Sequence, residues 1–120
     1  MTETVVITGI ARTPMGAFKG AFTDVAAPDL GAVAIKAAML EANIAENSVE
    51  QVMMGCVLPA GQGQAPARQA ALGADLPMAA EAITVNKMCG SGMQAAIMAH
   101  DTIKAGSADI IVAGGMENMT

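Results

Sequence analysis

Four short runs of apolar residues alternate with longer apolar segments along this 120-residue chain. The pattern predicts strands over residues 5–10, 51–58, 82–85 and 110–113, and helices over residues 28–42, 67–72 and 90–105. Strands that alternate with helices are typical of an α/β fold whose sheet is mostly parallel. Because helices cover both faces of such a sheet, its strands need not alternate apolar with polar residues, and these do not.

Composition and charge exclude several classes of protein. Hydrophobic residues make up 53% of the chain and charged residues only 14%, which excludes an intrinsically disordered chain. So much apolar surface is expected to lie in a larger core or against a partner. The net charge is −5 and the basic residues are scattered singly, so no nucleic-acid partner is expected. No apolar run reaches the length of a membrane span, so no membrane partner is expected either.

The cysteine and histidine counts bear on the compartment and on metals. Two cysteines and a single histidine match no zinc signature and no disulfide framework, so no metal site is expected. The N-terminus lacks the basic region of a signal peptide. We therefore expect free thiols and a cytoplasmic location.

The segment 86–92, Asn-Lys-Met-Cys-Gly-Ser-Gly, joins the third predicted strand to an apolar helix and carries Cys89. Such a turn lifts its central residue to the carboxyl edge of the sheet, where α/β sites form. The positive end of a helix dipole favours a thiolate there, and free backbone N–H groups can hold an oxyanion. Gly90 and Gly92 are predicted to permit the sharp turn. The pattern indicates a nucleophilic cysteine.

Two other interpretations of this segment stay open on the residues alone. A free cysteine is often a buried, unreactive core residue, as is predicted for Cys56 in the middle of the second strand. The run Gly90, Ser91, Gly92 also begins a match to the dinucleotide-binding pattern G-x-G-x-x-A after a strand. That pattern needs an acidic residue at the end of the next strand, and Glu117 lies just beyond it.

The single histidine, His100, cannot serve Cys89 as a base within one helix. Eleven residues separate the two, which is about 16 Å along a helix axis. A nucleophile and its base must lie within about 3 Å. If Cys89 is a nucleophile, its base therefore lies outside these 120 residues.

Four segments, in this order along essentially the whole chain, resemble the thiolases, the acetyl-CoA acetyltransferase family. The segment 86–95, Asn-Lys-Met-Cys-Gly-Ser-Gly-Met-Gln-Ala, is similar to the family's nucleophile segment. The other three are residues 6–16, residues 61–70 and residues 111–119. The run Gly-Gln-Gly-Gln-Ala-Pro-Ala-Arg at 61–68 resembles the short-chain, acetoacetyl-CoA type.

The resemblance implies a fold and a reaction. Thiolases have two similar α/β halves, each a five-stranded mixed sheet covered by helices, with an inserted loop domain. Residues 1–120 would form most of the first half, with the loop domain and second half absent from this chain. The implied reaction is the Claisen condensation of two acetyl-CoA to acetoacetyl-CoA and CoA, or the reverse thiolysis. Coenzyme A thioesters are then substrates, and no permanently bound cofactor is expected.

Only Cys89 carries over as a catalytic residue. It is similar to the cysteine that carries the acetyl group as a thioester and whose backbone N–H helps to hold the oxyanion. The family's catalytic His, Asn and second Cys lie in the second half and have no counterpart here. The 120 residues alone are therefore expected to be inactive. A non-catalytic half-thiolase is the alternative that this observation leaves open.

The resemblance also implies self-association. Thiolases form homodimers or homotetramers, and the family pairs the strand before the nucleophile across a two-fold axis. That strand corresponds here to the residues from Ala82 to Val85. We expect contacts between copies there and in the loop from Gly61 to Arg68.

Overall fold

The computed structural model describes residues 4–120, in which helices and strands alternate as an α/β fold requires. The chain also forms a short 3-10 turn over Glu46–Ser48. The helices are α1 (Ala27–Ala42), α2 (Pro66–Gly73) and α3 (Ser91–Lys104), and the strands are β1 (Gln51–Gly55), β2 (Glu81–Val85) and β3 (Ile111–Gly115).

The central strand of the sheet is β1. It pairs in parallel with β2 on one side and with β3 on the other. The register places Gly55 opposite both Val85 and Gly115. All three strands therefore end at one level, and the segments that follow them meet at one edge of the sheet.

Helices cover both faces of this sheet because the side chains of β1 alternate between them. Val52 and Met54 pack in one cluster with α1 and α2, whereas Met53 packs on the other face with α3. The buried residues of α3 on that face include Ala95 and Ala99. Small side chains at these positions allow the helix axis to lie close to the sheet.

The strand predicted over residues 5–10 does not form. The segment has no strand partner among the described residues, and Ile7 in it is 82% exposed. A cleft of about 470 Å³ lies between this segment and β3, and both line it. A strand needs a neighbour for its backbone N–H and C=O groups, and the apolar composition of the segment cannot replace one.

Two of the helices leave apolar side chains exposed. On α1, Val33 and Leu40 are 62% and 84% exposed, and on α3 Met93 is 70% exposed. The sheet covers only one face of each helix, while the apolar residues run around most of it. None of the helices in residues 4–120 has the length and hydrophobicity of a membrane span.

Gly55 lets α3 begin directly against the central strand. A Cβ atom on Gly55 would lie 2.6 Å from the Cβ of Ser91 and 2.8 Å from the backbone nitrogen of Gly92. On the neighbouring strand, a Cβ on Gly115 would lie 3.3 Å from the Cα of Gly92. Because helix and strand backbones nearly touch, the residues just before α3 are held at the carboxyl edge of the sheet.

We expect Gly55→Ala to lower the free energy of unfolding by about 1–3 kcal/mol, because the added methyl group overlaps backbone atoms. Gly92→Ala is the matched control at the same junction. Its Cβ would come no closer than 3.7 Å to Gly115, and alanine favours a helix over glycine by about 1 kcal/mol. Chemical denaturation of the two variants and the parent measures both effects. Equal stabilities for the two variants would contradict the close approach.

Candidate active site

The carboxyl ends of the three strands bring together the residues around Cys89. Asn86 follows β2, the chain leaving β1 continues through Cys56, and Glu117 comes just after β3. Cys89 is a free, exposed thiol two residues before α3 begins at Ser91. Its place in a strand-to-helix turn at the carboxyl edge agrees with the sequence analysis, and its chemical role stays a prediction.

The sharp turn before α3 is made by Met88 and not by a glycine. Met88 has φ 48°, in the left-handed region, whereas Gly90 has φ −89°, which any residue adopts. The predicted role of Gly90 in the turn is therefore wrong. A left-handed residue with a side chain costs about 1–2 kcal/mol, and it persists because surrounding contacts hold it.

Ser91 supplies one of these contacts from the helix side. Its Oγ accepts the Lys87 N–H at 2.8 Å and donates to the Met88 carbonyl at 2.6 Å. The residue is only 4% exposed. The hydroxyl thus closes the turn around Met88 from inside, a role that the sequence analysis did not assign to it.

Asn86 supplies a second contact from the sheet side. Its Oδ1 accepts the Met88 N–H at 3.2 Å, and its Nδ2 donates to the Val57 carbonyl at 3.2 Å. One amide side chain therefore joins the turn before Cys89 to the chain that leaves β1. Sequence reasoning did not identify Asn86 as a functional residue. Its signal was a short amide side chain placed directly after a strand, where such residues bond to nearby backbone.

Cys56 lies at the same edge of the sheet and not in the middle of a strand as predicted. Because β1 ends at Gly55, Cys56 is the first residue beyond it, and it is 1% exposed. Its Sγ lies 3.9 Å from Oε1 of Glu117. Burial, and secondarily the negative charge of Glu117, raise the pKa of the Cys56 thiol. The Cys56 thiol is therefore buried and stays protonated at neutral pH.

The Glu117 carboxylate faces the backbone of the chain leaving β1. Oε2 accepts the Val57 N–H at 2.8 Å, and Oε1 accepts the Leu58 N–H at 3.1 Å. The dinucleotide interpretation needed an acidic residue in this region to bind a ribose. Both oxygens of Glu117 already accept backbone N–H groups of the protein itself. Glu117 is therefore not placed to bind a ribose, and the dinucleotide interpretation lacks the acidic residue that it requires.

The side chains of Lys87 and His100 each contact a residue of α3. Lys87 Nζ donates to Oε1 of Gln94 at 3.1 Å, which draws the lysine along the first turns of α3. His100 lies in the second half of the same unbroken helix, with Nδ1 3.0 Å from Oδ1 of Asp101. His100 thus lies in α3 and Cys89 in the turn before that helix, and their separation stays a prediction. Residues 4–120 also contain no group of three His, Cys, Asp or Glu side chains arranged to hold a metal ion.

Comparison with known proteins identifies the family. Residues 5–120 match the thiolase N-terminal domain. This chain belongs to the thiolase family. It is 52% identical over 120 residues to the acetyl-CoA acetyltransferase of Cupriavidus necator, covering all of this chain and 30% of that protein. It is 49% identical over 116 residues to the mitochondrial acetyl-CoA acetyltransferase of Danio rerio, covering 97% of this chain and 28% of that protein.

A solved thiolase has the same fold. The Acat5 thiolase from Ascaris suum, determined in complex with coenzyme A, superposes with a TM-score of 0.89 at 37% identity. The match covers 91% of this chain and 28% of that one, which confirms the thiolase-like α/β fold. The thiolase chain described here spans about 30% of the length of the curated relatives it matches.

We expect iodoacetamide to alkylate Cys89 of this thiolase chain and to leave Cys56 unmodified in the native protein. Cys89 is exposed, whereas Cys56 is 1% exposed and its thiol is protonated, and alkylation needs an accessible thiolate. Mass spectrometry of tryptic peptides locates the label. Denaturation before labelling should make both cysteines reactive, and native modification of Cys56 alone would contradict the assignment.

The raised pKa of Cys56 predicts a loss of stability at alkaline pH. In the unfolded chain the thiol ionises near its ordinary value of 9.0, while in the folded chain it stays protonated to higher pH. Its contribution to stability is therefore complete below pH 9.0 and is lost as the pH rises through the folded-state pKa. The stability difference between the parent and Cys56→Ala should shrink between about pH 8 and about pH 10. Denaturation curves at both pH values measure it, and a pH-independent difference would contradict this cause.

Proposed function

We propose that this chain carries the nucleophile of an acetyl-CoA acetyltransferase. The observation that supports the proposal is the exposed Cys89 thiol on a turn that Asn86 and Ser91 hold at the carboxyl edge of the sheet. The proposed substrates are coenzyme A thioesters, with no permanently bound cofactor. The similarity to proteins named acetyl-CoA acetyltransferase favours an acetyl group as the acyl group transferred.

In the proposed reaction the Cys89 thiolate attacks the carbonyl carbon of acetyl-CoA. The bond from that carbon to the coenzyme A sulfur breaks, the coenzyme A thiolate takes up a proton, and Cys89 keeps the acetyl group as a thioester. The Cys89 backbone N–H stabilises the negative charge on the carbonyl oxygen. A second acetyl-CoA then loses its α-proton, and the resulting carbanion attacks the acetyl group. Acetoacetyl-CoA leaves, Cys89 is regenerated, and thiolysis is the reverse sequence.

The acid–base groups of this reaction come, in our proposal, from outside residues 1–120. His100 lies far along α3 from Cys89, and Cys56 is a buried, protonated thiol. The family resemblance implies a His, an Asn and a second Cys from a second α/β half. In this arrangement residues 1–120 form most of the N-terminal half, and they lack turnover by themselves. The apolar faces that α1 and α3 leave exposed are suited to packing against that remaining protein.

We also propose that the protein is a homodimer or homotetramer located in the cytoplasm. One edge of β2 has no strand partner among the described residues, so the residues from Ala82 to Val85 are placed for pairing between copies. The loop that begins at Gly61 is the second proposed contact.

The prediction that Arg68 belongs to this loop is wrong. It lies in α2 and not in the loop, and its guanidinium donates to the carbonyls of Met78 and Ala80 at 2.8 Å and 2.5 Å. It therefore stabilises the chain that enters β2.

A chimera tests the proposed reaction. This chain would replace the matching 120 residues of the Cupriavidus necator enzyme, and the product would be incubated with radiolabelled acetyl-CoA. Label retained on the Cys89 peptide supports the proposal. Dinucleotide binding without acetylation would contradict it in favour of the dinucleotide interpretation. A folded chimera that neither labels nor binds a dinucleotide would favour a non-catalytic half-thiolase.

In that chimera Cys89→Ser should abolish both acetyl labelling and condensation. A hydroxyl preserves the shape of the side chain but ionises at far higher pH, so the nucleophile is lost. Cys56→Ser is the matched control, because it makes the same change at the same edge of the sheet. It should lower stability and retain labelling, and loss of labelling in Cys56→Ser alone would mean that the wrong cysteine was chosen.

A further inference from the structure

The side chain of Glu117 accepts backbone N–H groups of the residues that follow the paired part of β1. The last backbone contacts of the central strand are the Cys56 N–H to the Val85 carbonyl and the Met116 N–H to the Gly55 carbonyl. Beyond them, the N–H groups of Val57 and Leu58 both bond to the Glu117 carboxylate. Hydrogen bonds from N–H groups to an ionised carboxylate are about twice as strong as neutral ones. Glu117 thus fixes the path of the chain that leaves β1.

This fixed segment is connected to the turn before Cys89 by one further side chain. The Val57 carbonyl accepts Nδ2 of Asn86, and Oδ1 of Asn86 accepts the N–H of Met88. Met88 is the left-handed residue directly before Cys89. A series of hydrogen bonds therefore runs from Glu117 through the Val57 backbone and Asn86 to the residue before Cys89.

We propose that Glu117 is a positioning residue for Cys89. Its carboxylate holds the Val57 backbone, which holds Asn86 in the orientation that supports the left-handed turn at Met88. Ser91 holds the same turn from the helix side, so the thiol is oriented by two independent supports. The role of Glu117 in acyl transfer rests on the proposed function of Cys89, whereas its role in orienting the thiol does not.

A general structural role for Glu117 is separable from this one because the chain contains a matched carboxylate. Oε1 of Glu50 accepts the N–H groups of Asp109 and Ile110 at 2.8 Å and 3.1 Å. Glu117 makes bonds of the same lengths to Val57 and Leu58, but it uses both of its oxygens where Glu50 uses one. Glu50 precedes β1 and bonds to the residues that precede β3, so it acts at the opposite edge of the sheet. Glu50→Gln therefore removes the charge of a second backbone-bound carboxylate without changing the turn at Cys89.

The test compares Glu117→Gln with Glu50→Gln in the chimera. A glutamine side chain can accept only one of the two N–H groups, because its own NH₂ faces the other. We expect Glu117→Gln to lower the maximal rate of Cys89 acetylation by about ten- to a hundredfold, since small misplacements of a reacting group have effects of that size. The acetyl-CoA concentration at half-maximal rate should stay unchanged, because Glu117 acts on the thiol and not on substrate. Glu50→Gln should leave the acetylation rate unchanged.

A double-mutant cycle tests whether Glu117 acts through Asn86. Asn86→Asp keeps an acceptor for Met88 but loses the donor to Val57, so it cuts the series at one bond in an exposed segment. If Glu117 acts along this series, the Glu117→Gln, Asn86→Asp double variant is acetylated no more slowly than the slower single variant. Rate losses that multiply would overturn the proposal. So would equal acetylation rates for Glu117→Gln and Glu50→Gln.

Alkylation of Cys89 by iodoacetamide separates this proposal from the proposed reaction. If the parent chimera is not acetylated, the proposed function fails, and the alkylation rates then decide the positioning role. A several-fold change of the Cys89 alkylation rate in both Glu117→Gln and Asn86→Asp, with none in Glu50→Gln, supports it. An unchanged alkylation rate in the two site variants would overturn it.

Discussion

The contact between the first turn of α3 and the end of the central strand determines the form of the whole site. Gly55 leaves no room for even a methyl group, because Ser91 and Gly92 occupy the space where a Cβ would lie. Since helix and strand backbones meet there, the short connection from β2 to α3 must turn sharply. That connection holds Cys89, and the strain of the turn is concentrated in Met88. A bulkier strand end would move the helix away and relax the turn.

The core around this contact is built from small and flexible side chains. Alanines line the buried face of α3, and methionines of β1 fill the space on both faces of the sheet. Such residues let helices lie near a sheet of only three short strands in the described part of the chain. The same composition leaves the outer faces of α1 and α3 apolar and exposed. These faces are what a larger thiolase would cover.

The two cysteines show how environment decides chemistry at one edge of a sheet. Cys56 and Cys89 both follow the ends of strands, yet one is buried beside a carboxylate and the other is exposed. Burial and the charge of Glu117 keep the proton on Cys56. The same Glu117 side chain fixes the chain that Asn86 joins to the turn before Cys89. One carboxylate thus contacts both the buried thiol and the backbone segment that supports the turn of the exposed one.

Features that depend on residues close in sequence were predictable from the sequence. The apolar run with Pro28 in its first turn predicts α1, and the strand, glycine-containing turn and apolar helix around Cys89 predict its place in the turn before α3. The β-branched residues of the segment 5–10 also predicted a strand. That prediction failed because a strand forms only beside a partner, and the described residues provide none across the cleft to β3.

Contacts between distant residues were decided only by the tertiary structure. The contact of Cys56 with Glu117, the bonds from Glu117 to Val57 and the bond from Asn86 to Val57 join residues that lie 29 to 61 positions apart. No local pattern encodes such pairs, because they exist only once the parallel register of β1 with β2 and β3 brings three strand ends to one level. The sequence alone therefore predicted which cysteine lies in the strand-to-helix turn at the edge of the sheet. The register of the sheet decided which residues hold it in place.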